Sequence, residues 1–310
     1  MTESADYHIK PINQLLYLIA VIIGFVLIAN LLAIAIIVLV YGKAVFYQLG
    51  NISPTSPQPI IDAVKITLAL GTTIGMFLAP AIYFARYIMY DVDEYIKPDT
   101  GFNRLLLPLV FGIMLFSFPV MEMLVNINQQ MVLPDFLKGV ERWMRESEEE
   151  TGRMIQSVLQ LDSVGHFIIS MLIVAVLPAI GEEFMFRGCL QTIFRQWTGN
   201  THAAVWITAV IFSALHMQFF GFLPRLMLGA LFGYMAAYSG SIWPGVFAHF
   251  INNGAAVIAT YLYQNKKSNI DPNSDHIFNY PLYIISFIII LFLFWIFKNV
   301  ASGKRNIPEY

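Results

Sequence analysis

The sequence has few charged residues and almost no cysteine, and both shortages restrict the class of protein. Charged residues make up 12% of the 310 positions and hydrophobic residues 57%, whereas soluble domains have roughly a quarter and a half. The single cysteine, Cys189, excludes an intrachain disulfide and a multi-cysteine metal site. A formal net charge of -2, without a basic cluster interleaved with aromatic residues, argues against nucleic-acid binding. The composition therefore indicates a membrane protein.

Long uncharged runs divide the sequence into candidate membrane spans. A charge at the bilayer centre costs about 2.5–3.5 kcal/mol, so the gaps between charged residues locate helices of the ~20 residues that a span needs. We predict eight spans, at positions 14–41, 65–86, 104–122, 162–182 and 203–219, two within 226–265, and one at 278–297. The pair within 226–265 is predicted to fold back at Gly240 and Pro244, because glycine and proline favour turns.

The longest segment outside the predicted spans lies between the third and the fourth. Leu133, Leu137, Val140 and Met144 recur there at helical spacing opposite charged residues, which predicts an amphipathic helix at the membrane surface. The predicted fold class is therefore all-α, a polytopic transmembrane bundle of about eight spans with an interfacial amphipathic helix. Four segments are predicted: 1–130 with three spans, 131–161 with the amphipathic helix, 162–262 as a four-span catalytic core, and 263–310 with the last span and the tail.

Three charged residues directly follow the fourth predicted span, where ionisable groups require a function or a partner. If the helix continues, Glu183 and Arg187 are four residues apart with the acid first, the favourable order for an ion pair. Glu182 is rotated by about 100° from Glu183. We therefore predict that Arg187 neutralises Glu183 and that Glu182 has no counter-charge. By themselves, these three charges could equally mark a membrane boundary.

Further polar residues lie in the later apolar segments. The fifth predicted span contains Phe212 and His216, and the seventh contains His249 with Asn253 one helical turn later on the same face. A single histidine in a membrane helix is more often a hydrogen-bonded packing residue than a functional one. Two histidines with an asparagine, added to the Glu182 region, indicate a site.

These residue types suit hydrolysis by an activated water molecule. A carboxylate in apolar surroundings can act as a general base near neutral pH, and a histidine can orient the water, which fits Glu182 and His216. His249 and Asn253 can donate hydrogen bonds to the oxyanion that forms at a carbonyl. We expect no cofactor. The alternative is a zinc ion bound by Glu182, His216 and His249, a ligand set seen at catalytic zinc sites, although no His-Glu-x-x-His sequence is present.

Three short motifs occur in order: Glu182-Glu183-x-x-x-Arg187, Phe212-x-x-x-His216 and His249-x-x-x-Asn253. This order resembles the CPBP family, which contains CAAX prenyl endopeptidases and bacterial bacteriocin-processing and Abi-like immunity relatives. The resemblance covers roughly residues 165–260. It implies that Glu182 activates water with His216 as its partner, and that His249 and Asn253 stabilise the oxyanion. Glu183, Arg187 and Phe212 would support the site.

From these observations we expect an intramembrane endopeptidase, a multi-pass integral protein of a bacterial cell membrane. Its partners would be the lipid bilayer and a peptide or protein substrate, lipid-modified or membrane-embedded, and no nucleic acid. Two alternatives use the same polar residues. The first is a transporter or channel in which the glutamate and histidines relay protons, and the second is a non-catalytic immunity scaffold.

Overall fold

The computed structural model describes residues 9–50, 52–272, 274 and 277–303, and within them the fold is all-helical, as predicted. The ends of the first and last predicted segments, 1–8 and 304–310, lie outside the described residues. The helices are α1 (Pro11–Tyr41), α2 (Lys43–Gln48), α3 (Gln58–Ile88), α4 (Val92–Tyr95), α5 (Leu106–Gln129), α6 (Lys138–Val158), α7 (Val164–Thr198), α8 (Thr201–Leu215), α9 (Phe222–Ser239), α10 (Trp243–Gln264) and α11 (Tyr280–Ser302).

Six helical segments of the described chain are long and apolar enough to cross a membrane: α1, α3, α5, α7, α11 and the segment Phe219–Ser239 that contains α9. The predicted total of eight spans is therefore not confirmed. Helix α8 is apolar but has only 15 residues, about 22 Å against the ~30 Å of a hydrocarbon core. In α10, the polar residues His249, Asn252 and Asn253 lower the mean hydropathy. Helices α8 and α10 therefore do not count as candidate membrane spans. His216 directly follows α8, and His249 lies in α10.

The fourth span extends beyond its predicted end. The charge gap placed that end at Glu182, but α7 continues to Thr198, so the charged residues lie inside a helix rather than after it. The buried ion pair of Glu183 and Arg187 makes this continuation possible. Part of the extension, Phe184–Leu190, has wider turns, in which the Gln191 N–H bonds the carbonyl of Phe186, five residues earlier. Wide turns of this kind are frequent at functional sites.

Two large apolar cores hold the bundle together. The first joins α1, α3, α7 and α8 through residues such as Leu18, Phe84, Phe186, Ile193 and Ala204. The second joins α5, α9, α10 and α11 through residues such as Val110, Phe232, Ala248 and Phe297. Helices of the N-terminal and C-terminal predicted segments thus share cores with the predicted catalytic segment. Helices α7 and α10 meet between the two cores, where Ala179 packs near Val246.

The predicted amphipathic helix is present as α6, and it covers the chain between α8 and α9. Ser147 Oγ donates to the carbonyl of Met217 (3.2 Å), and the Phe220 N–H donates to Glu148 Oε2 (3.2 Å). The ring of Phe220 also lies under the guanidinium of Arg145, 4.4 Å away. This chain segment begins at His216, so α6 contributes to the placement of a predicted site residue.

Candidate active site

Helix α7 carries a fully buried ion pair. Arg187 Nη1 donates to Glu183 Oε1 at 2.7 Å, and neither side chain is exposed. Arg187 Nη2 donates to the carbonyl of Gly229 at 3.0 Å, and the guanidinium lies 4.5 Å from the ring centre of Phe212. The predicted pairing of Glu183 with Arg187 is confirmed. Phe212 packs against this pair, and its predicted support of the site stays a prediction.

His249 of α10 is joined to the same ion pair. Its Nδ1 lies 3.0 Å from Glu183 Oε1, and its ring stacks on Phe232 with centroids 5.3 Å apart. Because a carboxylate only accepts hydrogen bonds, Nδ1 is the protonated nitrogen. The close approach of α10 depends on Gly245, one turn earlier, where a Cβ would lie 3.0 Å from Glu183 Oε2. This contact directs Nε2 of His249 towards Glu182.

His216 follows the last residue of α8, Leu215, and is the C-cap of that helix. The sequence placed it inside a span that continued to 219, but the chain turns at Met217, which has a left-handed φ of 53°. His216 Nδ1 lies 2.8 Å from the carbonyl of Phe212, so Nδ1 carries the proton. The ring is about one-third exposed, at 31%. The end of the helix therefore places a histidine at the accessible side of the site.

The carboxylate of Glu182 lies where both histidines converge. Its Oε2 is 4.0 Å from Nε2 of His216 and 3.8 Å from Nε2 of His249. The side chain is 13% exposed, and Oε2 is buried without a hydrogen-bond partner among the described residues. In the neutral rings both Nε2 atoms are acceptors, so three acceptor atoms face one another. At these distances no direct hydrogen bond joins Glu182 to either imidazole.

Asn253, the fourth predicted site residue, connects α10 to α7. Its Nδ2 donates to the carbonyl of Val174 at 3.1 Å, and its Oδ1 accepts from Nδ2 of Asn252 at 3.1 Å. One of the two Asn253 N–H groups is therefore used to join the two helices.

Several residues around the site were not predicted. Arg225 of α9 donates to the carbonyl of Gln218 (Nη1, 3.2 Å) and to Gln218 Oε1, and its charge acts on both Glu148 and Glu182. Gly221 leaves room for it, since a Cβ there would lie 2.4 Å from Arg225 Nη1. A signal was available, because Arg225 interrupts an apolar run, but the sequence interpretation treated it as a boundary. The contacts of Phe232 and Gly245 have no sequence signature.

The predicted zinc alternative requires a tighter donor set than this one. Tetrahedral zinc bound at about 2.0–2.2 Å brings its ligand atoms to about 3.3–3.5 Å from one another. The distances from Glu182 Oε2 to the two imidazoles are 4.0 and 3.8 Å. In the part of the chain that the structure describes, no group of three or more His, Cys, Asp or Glu side chains is arranged to hold a metal ion. The two Glu182–imidazole distances are thus a few tenths of an ångström longer than those of a tetrahedral zinc site, and the absence of a cofactor stays a prediction.

Comparison with known proteins finds a match to one family model. Residues 164–255 match the model of a family described as type II CAAX prenyl endopeptidase Rce1-like. The range contains all four predicted catalytic residues. The resemblance to CAAX prenyl endopeptidases is thereby confirmed, and with the six apolar helices it supports an integral membrane protein.

A curated relative is the uncharacterized protein YpbD of Bacillus subtilis (strain 168), which is 28% identical over 131 residues. The match covers 41% of this chain and 61% of YpbD, so it spans less than two thirds of that relative. This relative suggests a bacterial origin. No solved structure matches the chain.

Proposed function

We propose that the Rce1-like domain is an intramembrane endopeptidase that hydrolyses a peptide bond with a water molecule activated by Glu182. The convergence of His216 Nε2 and His249 Nε2 on Glu182 Oε2, at 4.0 and 3.8 Å, carries the proposal. Glu182 Oε2 and the unprotonated Nε2 of His216 are both acceptors, and a water molecule between them can donate to both. Glu182 Oε2, which is buried without a donor, becomes satisfied in this way.

In the proposed reaction Glu182 removes a proton from the water as the water oxygen attacks the carbonyl carbon of the peptide. His216 Nε2 accepts a hydrogen bond from the second hydrogen of the water molecule. This hydrogen bond orients a lone pair of the water oxygen towards the carbonyl carbon. The proton on Glu182 then passes to the leaving amine nitrogen as the C–N bond breaks. These steps balance without a metal ion.

The proposed oxyanion site combines His249 and Asn253. In the proposed active form His249 is already protonated before the water attacks, so its Nε2 donates to the oxyanion, and Glu183, 3.0 Å from Nδ1, stabilises the cation. Asn253 supplies its second amide N–H, while the first remains on the carbonyl of Val174. Glu183 is therefore a positioning residue. When His249 is neutral, Arg187 still compensates the negative charge of Glu183.

The proposed substrate is a membrane-embedded or lipid-modified peptide. The family model describes CAAX prenyl endopeptidases, which act on lipid-modified chains. A largely apolar cavity of about 510 Å³ lies between α5, α7 and α10, and Ala179 and Val246, one turn before Glu183 and His249, contribute to its wall. An apolar peptide segment or lipid chain held there would lie beside the site.

The test is cleavage of a fluorogenic peptide library by the purified protein in lipid nanodiscs, with products identified by mass spectrometry. Glu182→Gln should lower the rate by about 10²–10⁴-fold, the contribution of a positioned general base. Glu149→Gln, at an exposed glutamate of α6, is the matched control and should leave the rate unchanged. Cleavage by Glu182→Gln at the wild-type rate would refute the proposal.

Two further arms of this experiment separate the alternatives. Incubation with a zinc chelator should leave the rate unchanged, whereas a loss that added zinc restores would establish metal chemistry. Proton flux in liposomes without peptide products would favour a transporter or channel. An unchanged cellular phenotype in Glu182→Gln, His216→Ala and His249→Ala would favour a non-catalytic scaffold.

A further inference from the structure

A second cavity, of about 300 Å³, lies between α1, α3 and the N-terminal half of α7. Aliphatic residues of the three helices, including Ile36, Ile66 and Ile169, form most of its wall. Its polar lining consists of Tyr41, Asp62 and Lys65. None of these residues belongs to the proposed peptidase mechanism.

Lys65 is the unusual residue of this cavity. Lys65 belongs to α3 and is only 4% exposed. Within the described chain, its ammonium makes no hydrogen bond or ion pair. A cation in largely apolar surroundings without acceptors is costly, and such groups are normally paired. The open space in front of Lys65 is the cavity itself, so an acceptor bound there would complete its hydrogen bonding.

Asp62, three residues earlier, does not supply that acceptor. Its carboxylate accepts from Gln58 Nε2 at 2.8 Å and from the hydroxyl of Tyr41 at 3.4 Å, and it forms no ion pair with Lys65. Asp62 and Asp162 act on Lys65 only through space. The Lys65 ammonium and the Asp62 carboxylate thus both line the cavity at one end of its apolar wall, and they do not form an ion pair with each other.

The depth of Lys65 matches the level of lipid headgroups. It lies seven residues after the start of α3, about 10 Å along the helix axis. A 31-residue helix is about 46 Å long and exceeds the ~30 Å hydrocarbon core by about 8 Å at each end. Lys65 is therefore close to the boundary where phosphates meet acyl chains.

We propose that this cavity binds a membrane phospholipid with a zwitterionic headgroup that carries a primary ammonium, of the phosphatidylethanolamine type. The phosphate accepts hydrogen bonds from Lys65, and the headgroup ammonium donates to Asp62. One acyl chain fills the space along the isoleucines. The separated charges explain the choice, because an anionic headgroup would place a second negative charge beside Asp62 and a choline headgroup has no N–H to donate.

Native mass spectrometry of the full chain, delipidated in detergent and then exposed to a defined phospholipid, tests the proposal. With phosphatidylethanolamine, wild type should retain one lipid molecule, and Lys65→Met should weaken this binding about tenfold or more through loss of a charge-assisted hydrogen bond. Lys43→Met, at an exposed lysine at the start of α2, is the matched control and should bind like wild type.

Further arms keep the proposal open to refutation. Lys65→Met removes a buried charge and keeps the side-chain shape, so it should fold, and Ala69→Phe should reduce binding by filling the cavity with Lys65 intact. Equal retention by wild type and Lys65→Met would overturn the site. Equal retention of phosphatidylcholine, phosphatidylglycerol and phosphatidylethanolamine would overturn the headgroup assignment. Because the readout is binding, the result does not depend on peptidase activity.

Discussion

Two adjacent glutamates have opposite surroundings. Glu183 is fully buried and is hydrogen-bonded to Arg187 and His249. Glu182 is slightly exposed, and its Oε2 faces two histidines beyond hydrogen-bond distance. A carboxylate that already has strong donors is a poor base, whereas one without them is free to take a proton. Their different partners therefore suit Glu183 to hold the site together and Glu182 to react.

Removal of one partner of the buried pair should be costly. Arg187→Met leaves Glu183 charged and without its guanidinium, and we expect a loss of stability of about 3–5 kcal/mol. The double variant Glu183→Gln/Arg187→Met should recover much of that loss, because neither uncompensated charge remains. Thermal unfolding in detergent measures both.

The control for this prediction is Arg195→Met. Arg195 pairs with Glu94, but both side chains are substantially exposed, and exposed pairs contribute about 0–1 kcal/mol. An Arg187→Met protein as stable as Arg195→Met would contradict the importance of the buried pair.

The two histidines should respond differently to removal. His216 is one-third exposed, so His216→Ala should lower peptide cleavage with little change in thermal stability. His249 is buried, stacks on Phe232 and bonds Glu183, so His249→Ala should lower cleavage and also cost about 1–3 kcal/mol of stability. Cleavage rates and unfolding temperatures of the two variants check this, and equal stability losses would contradict it.

At the scale of elements, α6 acts on the site through the chain that follows α8. Glu148 accepts the N–H of Phe220, and its charge acts on Arg225, which in turn acts on Glu182. The Met217 carbonyl, next to His216, is held by Ser147. An interfacial helix is therefore connected to the proposed catalytic residues by hydrogen bonds and charge.

Glu148→Gln should lower the cleavage rate severalfold, because the Phe220 N–H loses a charged acceptor and His216 is held less firmly. Glu149→Gln changes the neighbouring exposed residue in the same way and should have no effect. Steady-state rates in nanodiscs measure both. Equal rates for the two variants would show that α6 does not position His216.

Close contact between α7 and α4 depends on one glycine. A Cβ at Gly188 would lie 2.4 Å from the carbonyl oxygen of Tyr95, so the backbone would have to move. We expect Gly188→Ala to lower the unfolding temperature. Gly24→Ala, in α1, meets nothing within 4 Å and should be neutral or slightly stabilising, since alanine favours helix. Thermal melts of both variants check this, and similar melting temperatures would contradict the close contact.

At the scale of the whole molecule, the polar site lies where two apolar cores meet. On the far side of Arg187, a polar cavity of about 290 Å³ is lined by residues that include Lys97, Gln191 and Arg195. Lys97, in the segment between α4 and α5, donates to the Glu94 carbonyl at 2.7 Å and to Thr192 Oγ1. Burial lowers the pKa of Lys97 from 10.5 to about 8.

This shift predicts a pH dependence of stability. Between pH 8 and about 10.4 the unfolded chain keeps the Lys97 proton that the folded chain has released, so the unfolded state binds more protons and stability rises with pH. In Lys97→Met this contribution should be absent. Unfolding temperatures of both proteins across pH 7–10 measure the difference, and parallel curves would contradict it.

Much of this architecture is readable from the sequence, but the errors have a common cause. Uncharged runs located the apolar helices, yet they placed span boundaries at Lys65, Glu122 and Glu182, all of which lie within helices. Each charge is tolerated there because of surroundings that the sequence does not show. Glu122, for example, accepts the backbone N–H groups of Ile277 and Phe278 ahead of α11.

The sequence by itself determined what depends on neighbouring residues along one helix. The helical class and the Glu183–Arg187 pair follow from composition and from the 3.6-residue repeat. Tertiary structure decided what depends on separate helices: that both imidazoles turn Nε2 towards Glu182, that Asn253 bonds the carbonyl of Val174, and that Lys65 faces a cavity. These contacts depend on distances of a few ångströms between side chains of different helices. Packing sets those distances, and the order of residues in the sequence does not contain them.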